Sequence, residues 1–226
     1  MRVDIKICGM CRPEDAAVAA EAGADYIGVI LVPGYGRSRT LAQAAEIFAA
    51  VPGVRRVGVF VDSSTDVVRD AARRLALDAV QLHGNEPPEA VAELASGADF
   101  RVWKAVRPRD RGEFLDAVQA YGDAADALLL DGWSREAAGG TGTRFPWDEV
   151  AAVRDRVPPA LALIVAGGLE SGNVAAVIDR LRPDGVDVSS GVERVRGEKD
   201  RKKVVAFIAA ARRAAGATAV HTRKEV

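Results

Sequence analysis

The sequence of 226 residues is poor in cysteine, in excess charge of either sign and in long apolar runs. Each shortage excludes something. Two cysteines cannot build a disulfide scaffold. With 31 Lys+Arg against 32 Asp+Glu the formal charge is −1, so the cationic excess that nucleic acid or a polybasic membrane contact demands is missing. No stretch of about 18 uninterrupted apolar residues occurs, and no spanning helix is expected. Met1-Arg2-Val3-Asp4 carries no long apolar run ahead of a small-residue cleavage site, so the expected setting is the cytoplasm. What is present is a hydrophobic share of 49%, enough for a packed core and too high for a disordered chain. At about 150 residues per domain, and with α/β barrels running past ~200 residues as one unit, a single domain is favoured.

Short aliphatic or β-branched runs alternate with Ala-rich segments of helical period, and Gly or Pro falls at the joins. The strands are expected at residues 3–8, 25–31, 56–61, 79–83, 101–106, 127–131, 162–166 and 185–189, followed by helices starting near Pro13, Leu41, Thr65, Pro87, Asp110, Trp147, Ser171 and Lys199. Eight βα units with right-handed crossovers close naturally into a (β/α)8 TIM barrel. A doubly wound open sheet is the rival, but the alternation has no interruption that would mark a switch point. Residues 1–214 are assigned to the barrel. Residues 215–226 lack a helix-length apolar pattern and are expected to form a flexible tail that frays.

Strand parity sorts the side chains between the two faces of the barrel wall. Val3, Ile5 and Ile7 face the helices, whereas Asp4, Lys6 and Cys8 face inward; likewise Gln81, His83, Asp131, Asp187 and Ser189 point in. Polar residues on a buried face need a reason. For Asp4 and Lys6 a mutual buried pair low in the barrel is expected. Barrel active sites lie at the carboxyl ends of the strands, which directs attention to Cys8, the 33–39 loop, His83, Arg107, Asp131, Gly167-Gly168 and Ser189-Ser190-Gly191. The last two groups, after the seventh and eighth strands, read as a phosphate cradle: glycines let N–H groups approach an anion and serines add hydroxyl donors. Cys8 and Asp131 are candidates for base and acid. A thiol pKa lowered by positive potential suits the first role, and a carboxyl pKa raised by neighbours such as Leu128–Leu130 suits the second. Cys8-Gly9-Met10-Cys11 also permits a dithiol redox role, but zinc is excluded for want of further ligands beyond His83 and His221.

Lys6-Ile7-Cys8-Gly9, Gln81-Leu82-His83-Gly84, Leu130-Asp131, Gly139-Gly140-Thr141-Gly142 with Phe145 and Trp147, Ala166-Gly167-Gly168-Leu169 and Asp187-Val188-Ser189-Ser190-Gly191-Val192-Glu193 stand in the order seen in the phosphoribosylanthranilate isomerases of tryptophan biosynthesis. The resemblance spans residues 3–212. It implies a cofactor-free Amadori rearrangement of a small phosphoribosyl substrate by a monomer or homodimer, with no metal and no nucleic-acid or membrane partner. It further implies Asp131 as general acid, Cys8 as general base, Arg37 or Arg39 as the clamp for the anthranilate carboxylate, and Gly168 and Ser190 among the phosphate contacts. Gly167, Ser189 and Gly191 complete the expected cradle, and Asp187, Gln81 and His83 the expected substrate wall. Cys11 stands where the resemblance calls for Thr and is taken as incidental. Related sugar-phosphate isomerases of histidine biosynthesis, including dual-substrate ones, are the alternative, although such relatives generally use two aspartates rather than a first-strand cysteine.

Overall fold

The structure, a computed structural model, describes residues 2–132 and 147–222. The Gly139–Gly142 motif, Phe145 and Pro146 lie outside the described residues. Eight parallel strands close into a barrel in chain order: β1 (Asp4–Ile7), β2 (Tyr26–Ile30), β3 (Arg55–Phe60), β4 (Ala79–Leu82), β5 (Arg101–Val106), β6 (Ala127–Asp131), β7 (Ala162–Ala166) and β8 (Gly185–Val188). The helices between and after them are α1 (Pro13–Glu21), α2 (Leu41–Ala49), α3 (Thr65–Leu75), α4 (Pro88–Ala95), α5 (Arg111–Tyr121), α6 (Trp147–Ala151), α7 (Val174–Leu181) and α8 (Arg201–Thr222). The TIM barrel expected from the alternation is the architecture found.

Local chemistry accounts for several boundaries. α1 starts on Pro13, whose fixed φ and missing N–H suit a first helical position. At α2 the Thr40 side chain accepts from the Gln43 N–H while Gln43 returns a bond to the Thr40 N–H, a complete capping box. Asp110 caps α5 through the Glu113 N–H. A short antiparallel hairpin, β9 (Glu193–Val195) with β10 (Glu198–Lys199), occupies the connection between β8 and α8, and α8 begins at Arg201, close to the expected Lys199. The hairpin turn is made by Gly197 at φ 84°, a conformation open to glycine. α8 runs past the expected boundary at residue 214 to Thr222. The segment is alanine-rich, the strongest helix former, and Ala214 and Ala215 pack into the core.

Parity holds throughout. Ile5, Ile7, Val80, Leu82, Leu128, Leu130, Val186 and Val188 join the large core between strands and helices, while Tyr26, Val57, Trp103, Leu129 and Ile164 fill a second core inside the barrel. The anticipated Asp4–Lys6 pair is not formed. Asp4 lies at the open lower end and meets Arg55 at 3.0 Å, because barrel closure sets Asp187 beside Lys6 in register and the lysine pairs with it at 2.8 Å. The lower rim repeats a device four times. Asp25, Asp78, Asp126 and Asp184 each precede an even-numbered strand, and their carboxylates accept from the N–H of Ile5, Arg56, Val102 and Leu163 on the preceding odd strand. Each of these aspartates also donates its own N–H to the carbonyl of that same residue. The reciprocal pairs lock neighbouring strands in register where the ladder begins.

Asp25 is the most heavily used of the four, since Arg2 and Arg212 also donate to it and Arg212 ties α8 to the Val3 and Gly23 carbonyls. Burial alone would raise its pKa, but these donors outweigh it and hold the carboxyl below the usual range. Asp25→Ala is therefore expected to cost about 1–3 kcal/mol in a denaturant melt, because it strands the Ile5 N–H and the Arg212 guanidinium. With the folded pKa depressed, this stabilisation is complete above the ordinary carboxylate range and disappears as pH falls through the folded value. A variant as stable as the parent at pH 7 would refute the assignment.

Candidate active site

The upper mouth of the barrel encloses a cavity of about 510 Å³ lined by Cys8, Arg37, Gln81, His83, Arg107, Asp131, the Ala166–Leu169 loop, Asp187, Ser189–Gly191 and Arg196. The candidate site residues named from the sequence, Arg39 apart, therefore meet in one place. Of the two arginines proposed as a carboxylate clamp, Arg37 lines the cavity; Arg39 instead donates to the carbonyls of Cys11 and Ser38.

Cys8 follows β1 and is buried. Space for it comes from Gly28 on β2: a Cβ there would stand 2.8 Å from Lys6 Cε and 3.0 Å from Cys8 Sγ. Opposite, Asp131 ends β6, and its Oδ2 accepts from His83 Nε2 at 3.1 Å and from Arg107 Nε at 3.0 Å. Between them Lys6 Nζ, wholly buried, donates to Asp187 Oδ2 at 2.8 Å and to Gln81 Oε1 at 2.9 Å. Asp187 Oδ1 is buried without a hydrogen-bond partner among the described residues, an uncompensated acceptor on the cavity wall.

The resting protonation states reverse the expected ones. Burial pushes the Cys8 thiol up, and Lys6 and Lys199 pull it back only in part, with Asp187 opposing them. Burial would likewise raise Asp131, but His83 and Arg107 outweigh it and hold the carboxyl below the usual range. The leucines before Asp131 do not decide its charge, because Leu128 and Leu130 face away into the outer core. At neutral pH these influences leave Cys8 as the thiol and Asp131 as the carboxylate. For Lys6, burial is the largest influence and lowers its pKa, yet Asp187 and Cys8 overcome it and raise the value, so the ammonium persists.

The far end of the cavity is made of backbone. Gly167 and Gly168 adopt φ of 83° and 65°, a conformation that side-chain-bearing residues rarely take. A Cβ on Gly191 would fall 1.9 Å from the Leu169 carbonyl oxygen, so the two loops touch main chain to main chain. Asn173 holds the first loop by donating to the Gly168 carbonyl and accepting from the Glu170 N–H. Ser190 and Gly191 begin a 3-10 turn, and first-turn N–H groups lack partners within the turn.

Beside this end, Arg37 Nε and Nη2 grip Glu193 at 2.7 and 2.6 Å, and Lys199 reaches Glu193 and the Ser189 carbonyl. Burial would lift the Glu193 carboxyl; Arg37 and Lys199 hold it below its ordinary range instead. Sequence reasoning quoted Glu193 in a motif and Arg107 at a strand end without giving either a role, and missed Lys199 and Arg196; the β9–β10 hairpin carries Glu193, Arg196 and Lys199 to the site. The inward parity of Lys6 was the one signal that could have marked it.

The PRAI family model, described as N-(5'-phosphoribosyl)anthranilate (PRA) isomerase, matches residues 5–210. The chain is 46% identical over 210 residues to the N-(5'-phosphoribosyl)anthranilate isomerase of Chromohalobacter salexigens, covering 92% of this chain and 93% of that protein. Its fold superposes on the crystal structure of phosphoribosyl anthranilate isomerase from Thermotoga maritima with a TM-score of 0.83 at 37% identity, covering 93% and 99% of the two chains. It is also similar to a phosphoribosyl anthranilate isomerase crystallised with reduced 1-(o-carboxyphenylamino)-1-deoxyribulose 5-phosphate, with a TM-score of 0.81 and 35% identity over 93% and 99%.

Because nucleophilic reactivity tracks the thiolate, alkylation of Cys8 by iodoacetamide, followed by peptide mass mapping, should be slow at pH 7. It should still be climbing about tenfold per pH unit near the ordinary thiol value of ~8.5. A plateau below pH 8 would contradict the raised thiol.

With the fold, the cavity and the matched relatives all in agreement, the chain belongs to the N-(5'-phosphoribosyl)anthranilate isomerase family.

Proposed function

We propose that this cavity carries out the family's isomerisation with Cys8 as base and Asp131 as acid. The enzyme is a phosphoribosylanthranilate isomerase of tryptophan biosynthesis, converting N-(5-phosphoribosyl)anthranilate to 1-(2-carboxyphenylamino)-1-deoxyribulose 5-phosphate. The observation that supports the assignment of roles is a sulfur on β1's end and a carboxyl on β6's end lining one cavity whose far end is a glycine and serine cradle.

In this reading Asp131 protonates the ribose ring oxygen, and the C1′–O bond breaks to give a Schiff base. Cys8 then removes the C2′ proton, and the C–H electron pair moves toward C1′ to form an enolamine. Tautomerisation yields the ketone at C2′. C1′ is reduced and C2′ oxidised within one molecule, so the electrons balance internally. The reaction begins from thiolate and carboxylic acid, whereas the electrostatics of the site favour thiol and carboxylate. Both arrangements carry one proton between the two groups, so the reactive one is a minor tautomer of equal charge. Gly167, Gly168, Ser189, Ser190 and Gly191 hold the phosphate, and Asp187 Oδ1 accepts from a sugar hydroxyl, which would satisfy that buried oxygen. Arg37 takes the anthranilate carboxylate on Nη1, its other edge being fixed by Glu193. The same reading carries a cytoplasmic enzyme, monomeric or homodimeric, with no nucleic-acid partner.

The dithiol alternative has less support, since the Cys11 thiol donates to the carbonyls of Gly9 and Arg37 at 3.5 and 3.7 Å. The names of the matched relatives also favour this isomerase over the histidine-pathway alternative.

Turnover is followed by loss of anthranilate fluorescence. Cys8→Ser and Asp131→Asn should each lower kcat by at least ~10²-fold while inorganic phosphate still binds. Cys11→Ser should leave the rate nearly unchanged; equal damage at Cys8 and Cys11 would return the redox reading. Arg37→Ala should act mainly on KM, and an unaltered KM would remove the carboxylate from Arg37.

A further inference from the structure

A single chain of hydrogen bonds crosses the barrel from Lys6 to Asp131, and each link constrains the next. An ammonium has only donors, so Lys6 Nζ, 2.9 Å from Gln81, must face the amide oxygen. The amide NH₂ then points the other way, and Gln81 Nε2 lies 2.8 Å from His83 Nδ1. Nδ1 must therefore be the bare, accepting nitrogen. In a neutral imidazole the proton then sits on Nε2, which is 3.1 Å from Asp131 Oδ2. That same oxygen also takes the Arg107 Nε–H at 3.0 Å. No hydrogen bond from a described residue reaches Oδ1.

From this geometry we infer that Lys6, Gln81 and His83 are positioning residues that lock His83 as its Nε2–H tautomer and so reserve Asp131 Oδ1 as the oxygen that carries the catalytic proton. Two donors on Oδ2 leave Oδ1 as the unoccupied oxygen of a carboxyl that lines the cavity. The locked donor also stabilises the carboxylate left behind when the proton departs, an interaction stronger after transfer than before. The role given to Asp131 rests on the proposed isomerase reading. The tautomer does not, since it follows from contacts within the chain itself. Gln81 is thus more than cavity wall: its amide transmits the fixed polarity of a buried ammonium to an imidazole on the other side of the site.

The test is a ¹H–¹⁵N multiple-bond correlation spectrum of the histidine rings in the full ¹⁵N-labelled chain. There are two histidines, and His221→Gln assigns the spectrum. Between pH 7 and 8, His83 should show a protonated Nε2 and an unprotonated Nδ1. An Nδ1–H form, an imidazolium or a rapidly exchanging mixture would overturn the proposal. Gln81→Glu removes the donor to Nδ1 and should move a proton onto that nitrogen. Gln81→Met should release the tautomer and lower kcat about 10- to 100-fold, with KM changed less than about threefold. An unchanged tautomer and kcat in a folded Gln81→Met would refute it. If the parent protein fails to isomerise the substrate, the functional reading falls while the ring spectrum still decides the tautomer. If neither variant folds, the parent's spectrum decides alone.

Discussion

A lysine ammonium placed inside a barrel must be surrounded by acceptors, and the interior of this molecule is arranged around that demand. Lys6 has Asp187 and Gln81 within hydrogen-bond distance, and Gly28 leaves the room its terminal atoms occupy. Removing both charges would suit stability at least as well, since hydrophobic replacements of buried pairs are commonly neutral or better. The pair makes sense as an organiser. One acceptor, Asp187, sits on the wall with its second oxygen unpartnered among the described residues, and the other, Gln81, passes a fixed orientation to His83.

The two chemical groups are held in opposite electrostatic settings by the same fold. Cys8 lies where burial outweighs Lys6 and Lys199, so the proton stays on sulfur; Asp131 lies where His83 and Arg107 outweigh burial, so the proton stays off oxygen. In the proposed reaction one proton must therefore be redistributed between them. A substrate whose carboxylate and phosphate occupy the mouth changes both potentials at once, because Arg107, Arg37 and Arg196 all face that volume.

Much of this was legible before any coordinates. The expected strand ranges contain the observed ones apart from the first residue of β3, and Pro13, Leu41, Thr65 and Trp147 each begin a helix as expected. Strand parity alone turned Lys6, Cys8, Gln81, His83, Asp131 and Asp187 inward. Two of the expectations that changed share a cause, neighbours in sequence that are not neighbours in space. Asp4 is two residues from Lys6 on the same face, yet Lys6 pairs with Asp187, its register partner on a strand that is adjacent only because the sheet closes. Leu128 and Leu130 adjoin Asp131 in sequence but face the helices, so they do not set its charge. The tail from Ala215 lacks an apolar period, but alanine's helical preference continues α8 to Thr222.

Period-two and helical hydrophobic patterning, with glycine and proline at the joins, determined the eight βα units, the inward-facing set and the ends of the strands where chemistry would lie. These are properties of short stretches, fixed by backbone geometry within a few residues. Tertiary structure alone decided which inward groups touch: closing β8 against β1 set Lys6 beside Asp187, and the run β4-β5-β6 set His83 and Arg107 on Asp131. Charge state followed from those contacts, because Coulomb attraction and desolvation depend on distances in space rather than along the chain.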